Sequence, residues 1–228
     1  AFRSLFDFCA RVDRRAVNKR AVEALVKAGA FDSLHADRAA LAASIGLAFD
    51  WAETQEASAV QAGLFDFGDG DTHGSSSEEP KLVHAEPWTL REKLMNEKAA
   101  IGFFLTGHLF DVHADEVRRF VRTRIADCVD SRETVLLAGI VIGLRVVNGA
   151  RGRAAIFQLD DGSERIEAVA NEELLDTAKA MLVDDELIVV NGRVQNDRFT
   201  GGLRLTLTNV WNLSGARARF GRYLQVEV

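Results

Sequence analysis

The chain has 228 residues, 47% apolar and 27% charged, with a net charge of −6. That length supports one or two domains with real hydrophobic cores, and the acidic balance argues against broad electrostatic binding of nucleic acid. No run approaches the roughly 18 apolar residues needed to cross a membrane, and no signal-peptide layout opens the chain. Two cysteines, Cys9 and Cys128, are too few and too far apart for a disulfide framework or a zinc site. A cytoplasmic protein with buried thiols is expected.

The first apolar residues, Leu5, Phe6, Phe8 and Cys9, already sit at helical spacing. No methionine and no N-terminal cap precede them, so the sequence reads as cut from something longer. Asn18 to Ala28 is helical again through Val22, Leu25 and Val26, with Asn18 as cap and Gly29 as a left-handed close. Asp37 to Trp51 predicts an amphipathic helix on Leu41, Ile45, Ala48 and Phe49. Residues 1–53 thus read as a small helical region. Within 1–34, seven Lys/Arg against four acids give +3.

After Glu53 the pattern dissolves, and 54–86 reads as a flexible linker. Gly68 to Pro80 cannot bury enough apolar area to offset its ordering entropy, and residues 66–80 hold five acids and no Lys or Arg. A helical connector over 87–132 follows. It has a helix through Leu90, Leu94 and Ala99, a turn-punctuated apolar stretch from Gly102 to His108, and a short helix from Asp115 to Phe120.

From Thr134 the period becomes that of strands. Val135–Val147 is broken by Gly139 and Gly143, which suits a bent strand. Ala154–Leu159 and Glu164–Val169 are joined by the turn Asp160-Asp161-Gly162-Ser163. A helix over Asn171–Leu182 follows, then Glu186–Val194 and Leu203–Leu213 with a hairpin loop at Asn196–Gly202. Five strands with one helix between the third and fourth is the order of an OB barrel. It is placed at 133–215, with 216–228 as a truncated C-terminal extension. The fold class is therefore α+β: a helical, helix-hairpin-helix-like region, a flexible linker, a helical connector and a five-stranded OB barrel.

No Gly-rich phosphate loop, metal-spaced Cys/His cluster or nucleophile motif is present, so neither a catalytic nor a metal-ligating residue is expected. Asp160 and Asp161 read as turn residues, and His108 and His113 as hydrogen-bonding or packing groups. Binding features are richer. Arg145 ends the first strand, Arg151 and Arg153 lie in the first loop, and Phe157 is on the second strand. Arg193 is on the fourth strand, and Arg198, Phe199 and Arg204 are in or beside the last hairpin. The two loops flank the groove where such barrels take single strands, arginines meeting phosphates and aromatics stacking bases. Residues 133–215 nevertheless hold eight basic groups against twelve acids, which leaves a scaffold that packs on other subunits as the alternative.

The pentad Gln61-Ala62-Gly63-Leu64-Phe65 offers a polar anchor and an adjacent apolar pair at the mouth of the acidic linker. It is either a helix end tucked onto a neighbouring core or a short peptide that a partner pocket receives.

These pieces in this order resemble the C-terminal portion of the bacterial DNA polymerase III α subunits. The resemblance is carried by Ser4 to Asp13, Asn18 to Asp32, Glu97 to His108, Ala138 to Val147, Leu159 to Glu167 and Gly192 to Arg204, and it covers nearly the whole chain. It implies a helix-hairpin-helix region gripping duplex DNA, with Arg14, Arg15, Lys19 and Arg20 at the phosphates. It also implies a β sliding clamp bound by Gln61, Leu64 and Phe65, and a barrel that meets single-stranded template through the groove residues above. Clamp-loader contact belongs, by the same resemblance, mostly beyond Tyr223. The aspartates for nucleotide addition, with a divalent metal such as Mg, fall in polymerase domains this sequence does not contain. The chain alone is then expected to be inactive, with no cofactor of its own. Two departures, Asn148-Gly-Ala-Arg-Gly152 in the first barrel loop and Ala170 where relatives commonly have phenylalanine, are expected to weaken the grip on single strands.

Overall fold

A computed structural model describes residues 1–13, 15–65, 78–149, 152–197 and 201–221, and over 59–65 the backbone alone. The chain forms two compact units, Ala1–Gly107 and His108–Val228.

The first unit contains α1 (Leu5–Arg11), α2 (Lys19–Lys27), α3 (Arg38–Phe65) and α4 (Leu90–Ile101). α1 does have a cap: the Ser4 side chain accepts the Asp7 N–H. Asn18 caps α2 by accepting the Ala21 N–H, and Gly29 follows at φ +82°, both as the sequence predicts. Leu5, Phe6 and Cys9 of α1, Val22 and Val26 of α2 and Leu41, Ile45, Ala48, Phe49 and Ala52 of α3 close one apolar core.

Helix α3 does not stop where its apolar stripe stops. It runs 28 residues to Phe65, although residues 54–65 were expected in the linker. From Glu53 to Ala62 the chain has no glycine or proline and is rich in Ala, Glu and Gln, so the helix propagates on local preference. Of Glu53 to Ser58, Gln55 alone is half-buried and the rest are exposed. Most of the remaining expected linker, 66–77, lies outside the described residues. Beyond it the chain returns to the core: Leu82 packs on it, and the Val83 N–H donates to the buried Ser44 hydroxyl at 2.8 Å.

α4 begins with a reciprocal Thr89–Glu92 capping box and ends at Gly102, φ +88°. It carries Glu97 into the interior, where Oε1 accepts from Arg38 Nη1 at 2.8 Å. The Leu105 and Thr106 N–H groups donate to Glu97 Oε2 at 2.7 and 3.0 Å. Burial opposes ionisation of Glu97, but Arg38 and these donors outweigh it and hold its pKa below the usual value.

In the second unit a closed barrel is formed by β1 (Thr134–Gly149), β2 (Gly152–Asp160), β3 (Arg165–Ala170), β4 (Leu187–Asn196) and β5 (Leu203–Trp211), in the order β1-β2-β3-β5-β4. β3 and β5 are parallel and the other neighbours antiparallel. β1 shifts register between Ile142 and Arg145, where Gly143 takes φ +66° and supplies the predicted bend. Phe157, Leu159, Leu137, Val141, Ile188, Val190 and Leu205 fill the interior. α6 (Glu172–Ala178) is capped by Asn171 as expected.

The expected connector at 87–132 divides between the units. α4 joins the first unit, whereas the stretch from His108, including α5 (Ala114–Val117), belongs with the barrel. Ile125 enters the barrel core, and buried Asp161 accepts from Arg118 Nη2 (2.7 Å) and the Ile125 N–H (3.1 Å). A last helix, α7 (Leu213–Phe220), replaces the expected end of β5 and simple extension. Asn212 starts it by accepting the Gly215 N–H.

Candidate nucleic-acid interface

The alternation along β2 and β3 sets what the barrel presents outside. Ala155, Phe157 and Leu159 face in, as do Ile166, Ala168 and Ala170, so the residues between them face out. Register then aligns two rows across the outer surface. One is Arg145, Ile156, Val169, Thr206 and Arg193. The next is Ile142, Gln158, Glu167, Arg204 and Gln195. In the first row half-buried Ile156 and Val169 lie between exposed Arg145 and exposed Arg193. Arg145, Ile156 and Val169, on three successive strands, offer a guanidinium for a phosphate beside an apolar floor for a base; Arg193 is reached only after the row has gone round to β4, which pairs with β1 at Thr134.

The second row is held by ion pairs. Arg204 donates from Nε (2.8 Å) and Nη2 (2.7 Å) to Glu167 Oε1, and its Nη2 also meets Asp197 Oδ2 at 2.7 Å. Arg145 Nη2 lies 3.9 Å from Glu167 Oε2. Asp197 is buried at the root of the β4–β5 hairpin, where its N–H donates to the Gly202 carbonyl at 2.8 Å.

The structure thus brings Arg145 and Arg204 of the expected groove together on Glu167, whereas Arg193 is exposed on β4 opposite Thr134 of β1. It sends Arg153 elsewhere. That residue has the inward parity of Ala155 and emerges at the barrel rim, with Nε 2.9 Å from Glu172 Oε1 and Nη2 3.0 Å from Asp176 Oδ1 on α6. Glu172 and Asp176 push the Arg153 pKa up. Phe157, expected to stack a base, is 2% exposed inside the core and cannot do so. Ala170, expected to weaken the grip on single strands, is likewise fully buried and faces the core rather than a bound strand. Arg151, Arg198, Phe199 and Arg14 lie outside the described residues. Ile156, Val169, Thr206, Gln158 and Gln195 were missed; reading Phe157 with Leu159 as inward would have found the two on β2.

In the first unit Arg15, Lys19 and Arg20 are exposed, the last two in the first turn of α2. Lys19 Nζ is 3.9 Å from Asp50 Oδ1 and lies over the Phe49 ring. Gln61, Leu64 and Phe65 fall in the last turns of α3, with their side chains outside the description.

Asp160 and Asp161 do more than shape a turn. Asp161 fastens the 108–133 stretch to the barrel as described above, and Asp160 binds His108 Nε2 (3.1 Å) and Arg165 Nε (2.6 Å). Burial would raise the Asp160 pKa, but His108, Arg165 and the Gly162 N–H hold it down at about 2. Among the described residues no cluster of His, Cys, Asp and Glu could hold a metal ion, and no helix is long and apolar enough to cross a membrane.

A family model described as an OB-fold nucleic acid binding domain matches residues 135–213, and one described as a helix-hairpin-helix motif matches residues 1–41. The chain is similar to curated DNA polymerase III α subunits. Identity is 37% over 227 residues for Neisseria meningitidis serogroup B, covering 99% of this chain and 19% of that protein. It is 38% over 243 residues for Pseudomonas aeruginosa, with 100% and 21% covered, and 35% over 236 residues for Escherichia coli K12, with 100% and 20% covered. The chain therefore spans between 19% and 21% of the length of these relatives. Among solved structures, a small single-stranded DNA-binding protein from Streptomyces coelicolor has 20% identity and a TM-score of 0.33, covering 37% of this chain and 96% of that one. RecG bound to a three-way DNA junction has 16% identity and a TM-score of 0.33, covering 38% and 12%.

Proposed function

The chain belongs to the family of bacterial DNA polymerase III α subunits, and from that premise we propose that it is a DNA-handling and processivity portion of the replicase, working in the cytoplasm. The outer face of the barrel takes single-stranded template, and the observation that carries this reading is exposed Arg145 aligned with half-buried Ile156 and Val169 on the next two strands. Exposed Arg15, Lys19 and Arg20, with Arg14, contact duplex phosphates.

A salt titration of single-strand binding tests the barrel. Arg145→Ala with Arg193→Ala should weaken binding and flatten the slope of log K against log salt by about 0.7 for each arginine. No measurable binding at low salt, or an unchanged slope, would instead favour a packing scaffold, the reading that the acidic balance of residues 133–215 supports.

Gln61, Leu64 and Phe65 bind the sliding clamp. Their i, i+3, i+4 spacing is that of one helix face, and α3 runs unbroken to Phe65, so the motif rides on a helix rather than a loose tether. Leu64→Ala with Phe65→Ala should cost at least about 2 kcal/mol of clamp affinity by calorimetry. Unaltered clamp binding in that variant removes the motif from the proposal.

A further inference from the structure

Glu167 is the one acid in the two outer rows, and its surroundings are those of an anion site already filled. Its carboxylate bridges two guanidinium groups, Arg204 at 2.7–2.8 Å and Arg145 at 3.9 Å. Two carboxylate oxygens between two arginines present the charge and donor demand that the two non-bridging oxygens of a phosphodiester would. The two acids on Arg204 are not equivalent. Asp197 is 4% exposed, whereas Glu167 is 21% exposed on the open face. The exposed partner exchanges for another anion at small cost, because pairs in contact with water contribute little. The buried one keeps the guanidinium in place, because leaving a buried charge unpaired is expensive.

We propose that Glu167 is an internal stand-in for a backbone phosphate. With the face empty it neutralises Arg204 and draws on Arg145; when a strand arrives, a phosphate takes its place while Asp197 holds Arg204 in position. The hold on DNA is thereby kept weak and exchangeable, as suits a template that must keep moving. This inference rests on the reading that the outer face binds single strands.

The test is fluorescence anisotropy of the 228-residue chain with a labelled oligothymidylate across a salt series. Glu167→Gln keeps the shape and removes the charge. It should tighten low-salt binding about three- to fivefold and steepen the salt slope by about 0.7, because a guanidinium no longer neutralised by Glu167 then displaces one more counterion from the DNA. Glu167→Thr, a strand-forming residue, should shift binding in the same direction, which separates charge from shape and covers a poorly folding glutamine variant. If the arginine pair variant weakens binding while both Glu167 variants bind equally or less tightly than the parent, the inference is overturned and the single-strand reading stands. If the arginine variant also leaves binding unchanged, both fall together.

Discussion

Replacing Glu97 by alanine will destabilise the helical unit by about 3 kcal/mol, because it removes the interior partner of a buried guanidinium. The Glu97 side chain is 0% exposed and that of Arg38 3%. Without the carboxylate, Arg38 keeps Asp32 on its outer side and the Lys27 carbonyl, but Nη1 loses its anionic partner in the interior. The Leu105 and Thr106 N–H groups lose their acceptor at the same time, although both residues are exposed and water can replace it. The loss should be read by denaturant unfolding with amide exchange resolved by unit, so that the barrel serves as the internal reference. Arg38→Met with Glu97→Leu should recover much of it, since apolar replacement of a buried pair is often neutral. A single-variant cost under about 1 kcal/mol would mean that water or Asp32 compensates the arginine.

Phe157→Ala should cost the barrel about 3–5 kcal/mol, the range for deleting a large buried aromatic. Phe157 pairs across β2–β3 with Ala168, and Ala155 and Ala170 are fully buried beside that pair. Large-against-small packing of this kind leaves a cavity that its neighbours cannot fill. The informative companion is Phe157→Leu, which should keep the fold at a cost near 1 kcal/mol and leave single-strand affinity unchanged. A base-stacking ring would lose about 1–3 kcal/mol of binding on the same substitution. Thermal unfolding and anisotropy on one preparation distinguish the two, and a selective loss of binding in Phe157→Leu would contradict the buried placement.

Much of the architecture was legible because it is written locally. Asn18 with Gly29 and Asn171 with its acidic first turn announce their helices by capping chemistry that needs no distant partner. The five strands and the helix between the third and fourth follow from apolar alternation and turn residues. The same locality explains the failures. The turn and a half of α3 after Ala52 is almost wholly exposed and shows no apolar stripe, so the helix read as linker from there, and Asn212 as a helix start was lost against a strand still ending.

Composition and periodicity by themselves determined the helical front, the OB order of strands and the set of arginines available to meet DNA. Tertiary structure alone decided which of them share a surface. Barrel closure and register place Glu167 against Arg204 across 37 residues and send Arg153 to the α6 carboxylates 19 and 23 residues away. Asp161, which sequence offers as a turn residue, ties Arg118 to the barrel across 43 residues. A strand shows its period in sequence, but not its inner face or its neighbour. Those depend on how whole surfaces bury one another, so Phe157 went inward and Ile156 was left facing the strand it is proposed to hold.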